Sequence, residues 1–330
     1  MQGIIDVRNP GSTNADEDIS VDEWAQQNNL SAFSRDFINF GVGGLVGREG
    51  KDVGLHYFLD YVKSCNGLLH LMGEGPDTAQ ALKIKQGTSA IAAGLAQALN
   101  SGSVLLNSAV KEIKQDDSGC TVTTANGTSI NCHKVVLAIP TNTYSKINFE
   151  PPLPADKQAI VSRTKPGIYV KAMLTYRKPW WQDLGLIGQL FSLEGPIKFS
   201  WEASDAEKRH YSLALFIDGD AALEWQALPA EERETALLEH LVKLVGPEHR
   251  GDVFDMLEIN IKDWTTEEYL GGAPTSSMGP GDYSRYSKAL REPFGNLHFG
   301  GGELAFEWKG YLEGAIRSGS RAAKEVLATM

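Results

Sequence analysis

The chain holds three cysteines in 330 residues, Cys65, Cys120 and Cys132. Their spacing gives neither a metal-binding pattern nor an even disulfide framework, which excludes a cysteine-stapled secreted scaffold and suits a reducing compartment such as the cytoplasm. No apolar run reaches the roughly 20 residues a membrane helix needs. The start, Met1-Gln2-Gly3-Ile4-Ile5-Asp6, lacks the basic segment and apolar stretch of an export signal, so no membrane partner is expected. Cationic residues are in the minority. Lys and Arg number 31 against 42 Asp and Glu, a net charge of −11, and without a basic footprint nucleic acid is excluded as a partner. The seven histidines show no zinc or iron spacing, so no metal is expected. No Gly-x-Ser-x-Gly elbow marks a serine hydrolase. Also missing is a Gly-x-Gly-x-x-Gly turn behind a buried strand, the dinucleotide-binding fingerprint. The glycine-rich Gly41-Val42-Gly43-Gly44-Leu45-Val46-Gly47 follows Asp36-Phe37-Ile38-Asn39-Phe40, which does not read as such a strand. A loop between helices suits it better.

What is present describes a globular α/β (α+β) chain. Hydrophobic residues make up 42% and charged residues 22%, enough for two domains or one large core. Residues 1–20 read as a loose arm with an acidic Asp16-Glu17-Asp18 run. Ser20 with Glu23 three residues on reads as a capping box, and helical pattern recurs to about residue 66. Thr88 to Leu99 reads as an amphipathic helix with Ile91, Leu95 and Leu99 on one face. Residues 103–139 read as strands, with Asn126-Gly127 as a hairpin turn and Val135 to Ile139 as a buried strand closed by Pro140. Short alternating runs over 167–218 predict an antiparallel sheet. Pro229 opens a helix to about Val245.

The last stretch is the most informative. Asn296-Leu297-His298-Phe299 reads as a buried strand, Gly300-Gly301-Gly302-Glu303 as a turn, and Trp308-Lys309-Gly310-Tyr311-Leu312-Glu313-Gly314-Ala315 as the entry to a helix of small residues. A glycine turn feeding a helix start lets backbone N–H groups approach an anion. The residue order resembles the closing signature of the FAD-dependent amine oxidases of the monoamine oxidase type, with Leu312 where that family has Met. The likeness continues elsewhere. It takes in Leu55 to Lys63, Gln80 with Lys83 to Gly87, Val135 to Pro140, Pro151-Pro152-Leu153-Pro154 and Tyr269-Leu270-Gly271-Gly272, all in family order.

The resemblance implies the C-terminal two-thirds of that fold: a partial FAD-binding domain over 86–164 and 264–330, and a mixed-sheet substrate domain over 1–85 and 165–263. It implies oxidation of an amine to an imine by hydride transfer to FAD, which O2 then reoxidises. By resemblance, Lys171 and Tyr311 are the catalytic candidates. Val110, Trp264, Gly301, Gly302, Glu303, Gly310, Tyr311 and Leu312 are candidates to hold the cofactor, and Gln80, Pro274 and Tyr311 to meet a small-molecule amine. Pro274 stands where the family has the second ring of its aromatic cage. Ala273 stands where covalently flavinylated members have cysteine, so FAD is expected to be noncovalent. In family order the chain begins after the dinucleotide unit. It therefore reads as a truncated chain, a shortened paralogue or half of a split enzyme, binding FAD weakly or not at all alone. A homodimer, or a partner that supplies the missing unit, is expected. The rival reading is a cofactor-free pocket protein of the same descent: a small-molecule binding protein, isomerase or cyclase.

Overall fold

The computed structural model describes residues 6–9 and 13–330. In chain order the helices are α1 (Val21–Gln27), α2 (Ala32–Val46), α3 (Leu55–Ser64), α4 (Leu68–Met72), α5 (Ser89–Gln97), α6 (Ala155–Arg163), α7 (Trp180–Asp183), α8 (Gly219–Gln226), α9 (Ala230–Val245), α10 (Arg250–Phe254), α11 (Asp282–Arg291) and α12 (Leu312–Leu327). The strands are β1 (Val110–Asp116), β2 (Gly119–Thr124), β3 (Ser129–Cys132), β4 (Val135–Leu137), β5 (Asn148–Glu150), β6 (Lys165–Pro166), β7 (Tyr169–Tyr176), β8 (Leu190–Phe191), β9 (Phe199–Glu202), β10 (Tyr211–Asp218), β11 (Met256–Asp263), β12 (Ser276–Ser277) and β13 (Leu297–Phe299). The chain folds into two units. One takes Leu59–Ser162, Ser284–Met330 and the described residues up to Thr13; the other takes Asn14–Phe58 and Arg163–Tyr283.

The second unit is built on the five-stranded sheet β11-β7-β10-β9-β8, in which every pairing is antiparallel. Alternation along Tyr169–Tyr176 sends Val170, Ala172, Leu174 and Tyr176 into the core, where Leu213, Leu215 and Ile217 of β10 meet Leu237, Leu238 and Leu241 of α9. Lys171, Met173 and Thr175 therefore point to the opposite face. The Ser20–Glu23 capping box forms as expected and opens α1. The glycine run at 41–47 is not a loop: it lies within α2 and ends it, with Gly47 left-handed at φ 70°. Glycine is demanded there, since a Cβ would sit 2.6 Å from the Ala273 carbonyl oxygen. Asp18 is also not part of a solvated arm. It is buried and accepts from the His56 and Gly281 N–H groups at 2.9 and 2.8 Å. Of that arm, residues 1–5 and 10–12 lie outside the described residues.

The first unit carries the sheet β3-β2-β1-β5 and the parallel pair β13-β4. The Asn126-Gly127 signal does close a hairpin, with a three-residue loop: Gly127 N–H donates to the Thr124 carbonyl, and Gly127 takes φ 87°. Strand β4 stops at Leu137, and it is less buried than expected, since Val136 is 42% exposed. Helix α5 forms, but none of its residues is buried, and Leu95 and Leu99 face outward.

Strand β13 turns through Gly300–Gly302 into α12. Two glycines of that helix differ in surroundings. At Gly314 a Cβ would lie 2.1 Å from the Trp308 carbonyl oxygen, whereas at Gly319 nothing stands within 4 Å. Gly314→Ala should therefore cost about 1–3 kcal/mol by forced displacement of the turn. Gly319→Ala should be neutral or add up to about 1 kcal/mol through helix propensity. Urea midpoints of the two variants check this, and equal midpoints would refute the close approach.

Candidate active site

In the first unit the structure gathers the closing motif into one place. Gly300 N–H donates to the Leu137 carbonyl at 2.9 Å, continuing the parallel pair. Gly301 then takes φ 111° and Gly310 φ 81°, conformations that side chains with a Cβ rarely adopt. Gly310 N–H closes on the Gly302 carbonyl at 3.0 Å, so the two glycine segments form one compact turn. Glu303 points away from solvent onto Thr141, and one carboxylate oxygen accepts both the Thr141 N–H at 2.9 Å and its hydroxyl at 2.6 Å. Leu312 opens α12 and is half exposed. Tyr311 is the N-cap, with no side-chain hydrogen bond to the helix, so nothing from the cap residue satisfies the first-turn N–H groups.

Tyr311 is held by rings. Its centroid lies 6.2 Å from Tyr61 and 6.1 Å from Trp308, and Trp308 lies 5.4 Å from His70. Burial pushes the Tyr311 phenol up to about 12, against a hydrogen bond with Tyr61 that pulls it down. Beneath this cluster runs a buried ion pair, Lys309 Nζ with Asp60 Oδ2. Complete burial lowers the Lys309 ammonium to about 7. The backbone there is tied to α3, since Ser64 accepts the Trp308 N–H at 2.9 Å on its carbonyl and the Lys309 N–H at 3.2 Å on its hydroxyl. Trp308 takes φ 57° there. Reading the sequence missed Asp60 and Lys309, because one sits in a helix and the other in a turn 249 residues later.

Val110 starts β1, paired with Thr124 beside a bulge, and is 37% exposed. Gln80 is exposed in its loop, and its amide donates to the Leu71 carbonyl at 3.3 Å.

In the second unit Lys171 stands on β7 between Phe216 of β10 and Lys262 of β11. Its Nζ lies 5.0 Å from the Phe216 ring centroid, and burial lowers its pKa. Around it is a set of aromatic rings that sequence reading did not find. Phe199 stacks on Phe216 at 4.5 Å, Trp201 stands edge-on to Phe199 at 5.2 Å, and Phe40 of α2 approaches Phe199 at 6.2 Å. Only strand register brings them together: Phe199 pairs with Phe216, which pairs with Lys171. Trp264 follows β11, with Lys262 Nζ 5.7 Å from its ring centroid. Pro274 is exposed, next to the β6–β12 pairing.

The turn has the space and the donors that a flavin dinucleotide needs. A Cβ on Gly301 would find no atom nearer than 3.9 Å, so the approach to the turn is open. Backbone N–H groups at an uncapped helix start, beside glycine φ values of +111° and +81°, are the donor set an anionic group needs. The residues fit.

The comparisons with known proteins agree with this geometry. Residues 15–327 match the family model for flavin containing amine oxidoreductases. The chain is 34% identical over 314 residues to AofH of Mycobacterium tuberculosis, which is named as a flavin-containing monoamine oxidase. The match covers 95% of this chain and 67% of that one. Among solved structures it superposes on a triple mutant of putrescine oxidase with a TM-score of 0.92 at 27% identity, covering 100% of this chain and 72% of the other. On cyclohexylamine oxidase from Brevibacterium oxydans the TM-score is 0.89 at 29% identity, covering 98% and 71%. This chain belongs to the flavin containing amine oxidoreductase family, and its fold is the mixed α/β fold of the amine oxidases. Nothing in these matches favours the cofactor-free reading. Among the described residues no helix is long and apolar enough to cross a membrane, and no cluster of three metal-ligating side chains occurs.

Proposed function

We propose that the chain is an oxidase of small-molecule amines that holds FAD noncovalently. The observation that carries this reading is the open glycine turn from β13 into the uncapped start of α12. Bound FAD would accept a hydride from the carbon beside the amine nitrogen, giving an imine, and would be reoxidised by O2. The chain's own residues position and polarise. Gly301, Gly302 and Gly310, with the first-turn N–H groups at Leu312, would hold the phosphate-bearing cofactor, and Glu303 fixes the turn through Thr141. Val110 and Trp264 are the further cofactor contacts proposed. Ala273 offers no nucleophile for a covalent bond. We assign the cofactor contacts to a partial FAD-binding domain over 86–164 and 264–330, and Lys171 and Gln80 to a substrate domain over 1–85 and 165–263.

Tyr311 keeps its phenolic proton far above neutral pH, so it offers an amine an uncharged ring face. Lys171, with its lowered pKa and its position over Phe216, is an ammonium that gives up its proton more readily than a surface lysine. Its proposed role is to stabilise charge that develops during oxygen reduction. Gln80 and Pro274 are proposed as outer contacts of the amine. The free thiols suit the cytoplasm.

The test is a visible spectrum of the purified protein with and without added FAD, followed by oxygen consumption with a panel of primary amines. Lys171→Met should cut turnover about tenfold or more when oxygen is limiting. Tyr311→Phe should act mainly when amine is limiting. A colourless protein that neither takes up FAD nor consumes oxygen would reject the reading. Two variants that matched the parent in both regimes would reject the residue assignments.

A further inference from the structure

The hairpin β2–β3 places two free cysteines face to face. Cys120 and Cys132 are direct partners in antiparallel register, and their side chains are within hydrogen-bonding reach of each other. Directly opposed residues of an antiparallel pair have Cα atoms roughly 4.5–5.5 Å apart, which falls within the range a disulfide spans. The pair lines an open cleft of about 740 Å³ shared with Lys114, Asn131, His133 and Glu150. Cys120 is buried and Cys132 half-buried, so one thiol is reachable and the other waits behind it. The third cysteine, Cys65, is fully buried beside Ser64 in the turn after α3.

We propose that Cys120 and Cys132 are a modification site, a reversible dithiol–disulfide couple whose oxidant is a hydroperoxide. Hydrogen peroxide, which an oxygen-consuming amine oxidase releases, is the simplest member of that class. The chemistry balances. The Cys132 thiolate attacks one peroxide oxygen and the O–O bond breaks. The departing hydroxide takes a proton to become water, and Cys132 carries an S–OH group. The Cys120 sulfur then attacks the Cys132 sulfur. The S–S bond forms, the S–O bond breaks, and the leaving hydroxide with the Cys120 proton gives a second water. Two thiols lose two electrons and one peroxide gains them.

The order of attack follows from surroundings. Burial holds both thiols above their ordinary pKa and pushes Cys120 to about 11; the neighbouring Cys132 and Asp116 raise it further and Lys134 lowers it. Cys132, the more accessible thiol, is the one that meets peroxide. The reaction speeds up as pH rises, because the thiolate is the nucleophile.

The couple lies at the foot of the parallel pair that ends in the glycine turn. Gln115, the register partner of Cys120, accepts the Asn296 N–H at 2.7 Å. Lys134 donates to the Asn296 side-chain oxygen at 2.9 Å, and Val135 N–H donates to the Asn296 carbonyl at 3.0 Å. A bond between β2 and β3 would therefore fasten the segments that lead into β4 and β13.

The experiment uses the full chain, reduced and then exposed to a small excess of hydrogen peroxide. Thiols are counted after denaturation and the peptides are mapped by mass. Titratable thiols should fall from three to one, with the Cys120 and Cys132 peptides linked within one chain, and dithiothreitol should restore all three. Cys65→Ser should still lose two thiols. Cys132→Ser should lose none to a disulfide. Persistence of all three thiols in the parent, or linkage between chains or through Cys65, overturns the proposal. The count requires neither flavin nor amine, so its failure is distinguishable from failure of the proposed activity.

Discussion

Replacing Lys309 by methionine is expected to cost the protein about 3 kcal/mol or more at neutral pH, one of the two largest effects among these variants. The lysine and its partner Asp60 are both almost completely buried, and the second Asp60 oxygen accepts no hydrogen bond. Burial lowers the lysine to about 7. Each member needs the other, because a lone polar group in that site forfeits its hydration with no return. Methionine fills most of the volume but leaves Asp60 alone. The companion variant, Asp60→Leu with Lys309→Met, removes both polar ends and should recover most of the loss. Urea midpoints of parent, single and double variants give the coupling. A single variant as stable as the parent would mean that water reaches Asp60. The loss should also show in Trp308 fluorescence, since the Lys309 backbone anchors that ring through Ser64.

This pair also marks how far the sequence could be read. Local signals were legible: the Ser20–Glu23 capping box, the hairpin at Asn126-Gly127, the α9 helix opened by Pro229, and the strand, turn and helix of the closing motif all formed. They depend on neighbours within a few positions. The glycine run in α2 misled because glycine was read as a breaker; Gly43 is there for close approach, since its Cβ would lie 2.4 Å from Asp218 Oδ1. The exposure of Val136 and Leu95 was not legible either, since periodicity says which face is apolar but not what covers it. Contacts set by register between distant strands or by tertiary packing were not legible. Phe199 meets Phe216 and Lys171 only through register, and Asp60 in a helix meets Lys309 in a turn 249 residues later. The cysteine pair was the nearest to being readable. Once a three-residue loop is placed at 125–127, counting outward from it brings 120 opposite 132.

Asp218→Asn is expected to stabilise the protein at pH 8 and to leave it unchanged near pH 4. Asp218 ends β10 on the Phe216 face, is 2% exposed, and has one carboxylate oxygen without a hydrogen bond. Burial, opposed by Lys198 and reinforced by Glu49, pushes its pKa up from 3.8 to about 7. The folded state therefore holds a proton that the unfolded chain releases earlier. The sign follows from that difference. The contribution of the neutral acid is complete below 3.8, shrinks as pH climbs, and is lost above about 7, where the folded protein must carry a buried charge. Asparagine never ionises, so the gain from the substitution grows across that window and then levels off. A shift of this size corresponds to an upper bound on the order of 4 kcal/mol at about 1.4 kcal/mol per pKa unit. Urea midpoints of the two proteins at several pH values between 4 and 8 measure it. A difference that stays flat with pH would mean that the Asp218 charge is compensated in place, by Lys198 or by water. In that case the carboxylate on the Phe216 face of β10 would be ionised in the folded protein, and Asp218→Asn would be expected to raise KM for amine substrates instead of stability.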